Sequence, residues 1–141
     1  MKVFRVGHAT KTRDDVGRES FPVGPYNGVD WDEMSEGHEA MVWAHSGWGS
    51  ESHHPAPFHD AALCSIQPWE VCGFVSLEAL LDWFESYLKV LDESQFRVWV
   101  YELPDDVVRV GRFGQAVFPT AGAVGVESFR LPLADQQLAL F

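Results

Sequence analysis

The stretch "SLEALLDWFESYLKVLDE" at residues 76–93, followed by "FRVWVYEL" at 96–103, decides the fold class. Leu77, Leu80, Leu81, Phe84, Leu88 and Leu91 recur at helical spacing, which predicts one long amphipathic helix over 76–93. Ser76 suits its N-cap, and Glu78 in the first turn complements the helix dipole. The second stretch is apolar at both alternating positions, so it predicts a strand inside a sheet rather than at its edge. Pro104, Asp105 and Asp106 end it. Further out, "KVFRV" (2–6), "VVRV" (107–110) and "QAVF" (115–118) read as short strands, the last two separated by a turn between Gly111 and Gly114. "EAMVWAH" (39–45) is a short apolar run that fits a strand or a helix. Strand, long irregular region, helix and then several strands predict an α+β domain with a mixed or antiparallel sheet. Residues 1–141 are expected to form a single domain, with "RLPLADQQLALF" (130–141) either a docking helix or a frayed tail.

Composition supports a globular chain: 46% of residues are hydrophobic and 13% aromatic, including six Trp and ten Phe. No apolar run approaches the roughly 20 residues that span a bilayer, and "MKVFRVGHATK" carries no signal-peptide apolar region. The expectation is a cytoplasmic protein without a membrane role. Cys64 and Cys72 then read as a reduced, buried pair. The net charge of −11 is unevenly spread. Residues 1–18 hold Lys2, Arg5, Lys11, Arg13 and Arg18 against Asp14 and Asp15, whereas residues 19–88 hold twelve acids and no Lys or Arg. Such acidity disfavours direct contact with nucleic acid, whose phosphates need cations. A small basic patch in an acidic body marks a place for an anionic ligand.

The loop "ESHHPAPFHD" (51–60) holds three of the six histidines. His53 and His54 are adjacent and point apart in an extended chain, and Pro55 and Pro57 forbid a helix that would set His54 beside His59. The spacing therefore argues against a metal, although a metal-dependent hydrolase using His53, His54 or His59 stays open as a third reading. The loop reads either as a stiff solvated connection or as one that carries His54 and Asp60 to a cleft as an acid/base pair. No G-x-S-x-G elbow and no P-loop lysine are present.

A wider pattern links Arg5 inside the first strand, Ser76 at a strand-to-helix junction after "CGFV", and Gln115 opening "QAVFP" on a late strand. Arg early, Ser at a mid-chain helix start and an acid or amide on a late strand resembles the core of the ADP-ribosyltransferase fold. The resemblance implies that Arg5 holds the pyrophosphate of NAD, with His8 and Tyr26 near the ligand. It further implies that Ser76 supports the nicotinamide riboside and that Gln115 stands where the family has a catalytic Glu. Glutamine supplies no negative charge there; Glu102 or Glu127 on neighbouring strands would have to provide it. More loosely, "HPAPFHD", "CGFVSLEALLDWF" and "VWVYELP…QAVF" look like a group of small phage and bacterial proteins.

Three functions follow as expectations. The first is an ADP-ribosyltransferase-like protein that binds NAD or another nucleotide without a metal, using Arg5, His8 and Tyr26 for binding and Ser76, Gln115, His54 and Asp60 for catalysis. The second is a non-enzymatic acidic inhibitor, a phage anti-defence protein in the host cytoplasm, that occupies a basic nucleic-acid-binding surface of a host protein. The third is the hydrolase.

Overall fold

The computed structural model describes residues 1–13, 21–26, 34–45, 61–63 and 65–133. Six strands form one sheet in the order β6-β7-β4-β1-β5-β8, and every neighbouring pair runs antiparallel. They are β1 (Lys2–His8), β4 (Glu70–Phe74), β5 (Phe96–Glu102), β6 (Arg109–Val110), β7 (Gln115–Pro119) and β8 (Val124–Arg130). A separate ribbon pairs β2 (Thr12–Arg13) with β3 (Phe21–Pro22). The helices are α1 (Glu36–Ala44), α2 (Leu77–Trp83) and α3 (Leu88–Glu93). The α+β class stands, with a purely antiparallel sheet.

Cross-strand partners share a face, so register sorts the side chains. The pairs Phe4↔Phe74, Phe4↔Val100, Val6↔Val98, His8↔Phe96 and Phe74↔Gln115 lie on the face that the helices cover. There α2 packs on β1 and β4, and α3 packs on β5 and α1. Val3↔Tyr101, Arg5↔Trp99 and Val71↔Phe118 lie on the opposite face, beneath Phe21 of the small ribbon. Both faces of the central strands are thus buried, which explains why β5 reads as continuously apolar.

Two sequence expectations change. The stretch 76–93 is not one helix: Ser76 caps α2 as anticipated, with Ala79 N donating to Ser76 Oγ at 3.1 Å, but a 3₁₀ turn at Glu85–Tyr87 separates α2 from α3. The tightening occurs where Trp83, Phe84 and Tyr87 close on the ring of His45, at centroid distances of 4.8, 5.9 and 5.4 Å. The apolar stripe runs through the break, so leucine periodicity does not register it. The second change is Cys72, expected to be buried but exposed on β4. Cys64 lies outside the described residues, as do His53, His54, His59, Asp60 and residues 134–141 of the tail. The run at 39–45 resolves as helix, with Ser35 Oγ accepting from His38 N at 3.2 Å as the cap of α1.

Candidate functional site

The loop between Gly111 and Gly114 and the start of α2 meet at one corner of the sheet. Val75 N donates to Gly114 O at 3.0 Å, and Gln115 stands opposite Phe74, so Ser76 and Gln115 share this corner on the helical face. Gln115 is buried, and the Ser76 hydroxyl is engaged by the helix it caps.

Arg5 does not join them. Its register partner is Trp99, which puts its side chain on the far side of the sheet. There Nη1 donates to Pro22 O at 2.9 Å, and the guanidinium lies 5.4 Å from the centroid of the Phe21 ring. Gly24 leaves room for it: a Cβ at that position would come within 2.8 Å of Nη2. A buried guanidinium held by a carbonyl and an aromatic face ties the β2–β3 ribbon to the sheet. Glu102 and Glu127 are also remote from Gln115. The order β7-β4-β1-β5-β8 sets β5 three strands and β8 four strands from β7, which is roughly 14 and 19 Å.

Tyr26 and His8 have partners of their own. Trp83 Nε1 donates to Tyr26 Oη at 2.8 Å, and Tyr26 Oη lies 2.7 Å from His45 Nδ1. Burial pushes the Tyr26 phenol well above its ordinary range. This chain joins the loop at residue 26, the end of α1 and α2. His8 Nδ1 accepts from Thr10 N at 3.1 Å and Lys11 N at 2.9 Å, so it turns the chain after β1. His38, buried in α1, shares a 2.6 Å hydrogen bond between Nε2 and Pro25 O, Nε2–H donating.

Burial, with Lys11 adding repulsion, holds His8 below its ordinary value of 6.5. The unfolded chain therefore binds the proton first. Stability contributed by neutral His8 is complete above about pH 6.5 and falls as pH drops through the lower folded value. In His8→Asn the Oδ1 atom accepts the same two amides without titrating. Thermal unfolding between pH 7.5 and 5 is expected to slope less in the variant than in the parent chain; equal slopes would remove His8 as the cause.

On β4, the exposed Cys72 is nonetheless crowded by protein, which pushes its thiol up rather than activating it. On the far face, the Tyr101 hydroxyl is buried with no hydrogen-bond partner among the described residues, and burial pushes it up to about 12. No group of three or more His, Cys, Asp or Glu that could hold a metal occurs among the described residues. No helix among them is long and apolar enough to cross a membrane.

What the fold does assemble is a charged surface. Glu36 and Glu39 of α1 lie far in sequence from α2–α3, which begins at Leu77, yet α1 packs on α3 and its neighbouring 3₁₀ turn. Their outer sides add to those of Glu78, Asp82, Glu85 and Glu93, all exposed. Lys89 is the only Lys or Arg in these three helices and the turn between them. Arg5, Arg97 and Arg109 instead project from the sheet, where Arg97 donates to Ser128 and Arg109 pairs with Glu70 at 2.8 Å. The acid-only run at 19–88 signalled the excess; that one layer concentrates it was not readable without the packing.

A family model described as "Bacteriophage T4 Y00F protein" matches residues 1–132. No curated protein and no solved structure matches the chain.

Proposed function

The chain belongs to the bacteriophage T4 Y00F protein family, and from that premise we propose that it is a small phage protein that acts by binding rather than catalysis. Its acidic helical layer occupies a basic, nucleic-acid-binding surface of a host protein, as an anti-defence inhibitor in the host cytoplasm would. The observation that carries this reading is the segregation of charge: six exposed carboxylates on the helical layer against Lys89. A field of one sign over a surface of this kind attracts cations and speeds encounter with a basic partner.

Ser76 and Gln115 at one corner favour a second reading, an ADP-ribosyltransferase-like site for NAD or a related nucleotide. Arg5 on the other face weakens it, because the pyrophosphate of NAD would lack its cation. The hydrolase reading rests on His53, His54 and His59, which lie outside the described residues.

The experiment is a pull-down with a purified basic DNA-binding protein of the host, with duplex DNA as competitor, over a salt series. Binding is expected to fall with salt, to be displaced by DNA and to weaken at least tenfold in Glu78→Lys/Glu85→Lys. Retention that ignores salt and charge reversal would sink the reading. A rise in melting temperature with NAD or ADP-ribose, abolished by Gln115→Ala, would favour the transferase.

A further inference from the structure

The sheet ends differently on its two sides. At one end β6 is two residues long, and the 3₁₀ turn Ala61–Leu63 lies against it. At the other end β8 has seven residues and pairs on one side only, with β5. Among the described residues, no strand pairs with the outer side of β8; of its outward groups, Ser128 O accepts from Arg97 Nη2 at 3.2 Å. A strand edge of this length with no strand laid against it is a template for another strand.

The side chains along this edge carry further information. Val124 and Val126 are 61% and 51% exposed, apolar side chains that a neighbouring strand would cover. Glu127 is exposed between them and Ser128, and its partner Val100 places it on the helical side of the sheet. Glu102, opposite Val124, is exposed at the same end, next to Asp105. At the other end Arg130 is held by Asp92 through bonds of 3.2 and 2.8 Å. Glu102 and Asp105 pair with the Met1 ammonium at 3.5 and 3.0 Å, and Arg97 is held by Ser128, so Glu127 is the carboxylate that the edge strand itself presents; the edge adjoins the acidic layer through α3, which packs on β5.

We propose that β8 is a docking edge and that its occupant is an extended cationic segment of the partner protein, adding as a seventh strand. This rests on the binding reading above and gives that partner a second feature: a strand-forming segment with Lys or Arg facing Glu127, and apolar residues against Val124 and Val126. Main-chain bonds along the edge supply affinity, and the alternate side chains supply selectivity. A second copy of the chain fits poorly. Two-fold antiparallel pairing centred on Glu127 sets like charges directly opposite each other, between chains that each carry −11. The bulge, where Val126 has no partner on β5, further discourages self-pairing.

The probe is a blocked ten-residue peptide of alternating Lys and Val, with a version carrying proline at two central positions as the control that cannot extend a sheet. Hydrogen exchange on the full chain is expected to slow at least tenfold at the β8 amides that face away from β5, with the alternating peptide alone. Glu127→Lys is expected to weaken peptide binding at least tenfold, while Glu78→Lys weakens it less than threefold. Both substitutions are at exposed positions, and circular dichroism checks that each variant stays folded. Protection confined to α2 and α3, or equal binding of the proline peptide, overturns the edge proposal and leaves the charge-driven reading standing. No binding of either peptide, together with the salt-insensitive retention described above, removes both. Dimerisation in sedimentation that Val126→Lys abolishes would make a second copy the occupant and overturn the proposal.

Discussion

Phe96→Ala is expected to destabilise the protein by about 3–5 kcal/mol, the range for deleting a buried aromatic ring. Phe96 is 1% exposed and opens β5 opposite His8. The rings of His8 and His38 both meet it at steep angles, with centroids 5.3 and 5.4 Å away. One ring thus supports the histidine that turns the chain after β1 and the histidine that fastens α1 to Pro25. Its removal leaves a cavity between sheet and helix and takes the edge-to-face partner from both imidazoles. Since domains are typically stable by only about 5–15 kcal/mol, the variant should be near the limit of folding at 37 °C. Urea unfolding checks this through a lowered midpoint at unchanged slope. Phe96→Leu, which keeps most of the volume, should lose far less. Equal losses in the two variants would show that the ring contacts, not the volume that Leu restores, carry the stability.

Gly73→Ala is expected to cost about 1–3 kcal/mol or more, by overpacking rather than by a cavity. A Cβ at this position would lie 2.7 Å from Phe4 O and 3.1 Å from a ring carbon of Phe118. The first of these atoms is backbone of the adjoining strand and cannot rotate aside. The β1–β4 seam joins the β6-β7-β4 half of the sheet to the β1-β5-β8 half, so the strain falls where the sheet is held together. A fall in melting temperature on the order of 10 °C is the readout. Gly125→Ala is the comparison: the nearest atom to a Cβ there is 3.8 Å away, and the shift should be small. Similar shifts at both positions would point to strand propensity instead of contact with Phe4.

Much of the architecture is legible in the residues. "KVFRV", "FRVWVYEL" and "QAVF" became β1, β5 and β7, and Ser76 caps α2, because each signal is local: alternation, apolar content, a hydroxyl before a periodic run. β8 is harder to see, since "VGVESFR" mixes Gly, Glu and Ser with its apolar residues. An edge strand exposed on its outer side has little need for a strong pattern. The break at Glu85–Tyr87 escaped for the opposite reason, as the apolar pattern there is uninterrupted.

The candidate site divides along the same line. The resemblance implies a place for His8 and Tyr26 near a bound nucleotide, and in the structure both hold local structure together through Lys11 N, Trp83 and His45. Nothing in the sequence near position 8 names Phe96 as its neighbour, and nothing near position 26 names Trp83. These are contacts between distant segments.

The sequence by itself determined the α+β class, the helix start at Ser76, the apolar strands and the acidic excess, all properties written in spacing and composition. Tertiary structure alone decided that Ser76 and Gln115 share a corner while Arg5 faces away, that α1 and α2–α3 pool their carboxylates, and that β8 stands at the edge of the sheet, paired with β5 on one side. Side chains alternate along a strand, so the face of Arg5 relative to Gln115 depends on how β1, β4 and β7 register. That register is set by which distant segments bury their apolar surfaces together.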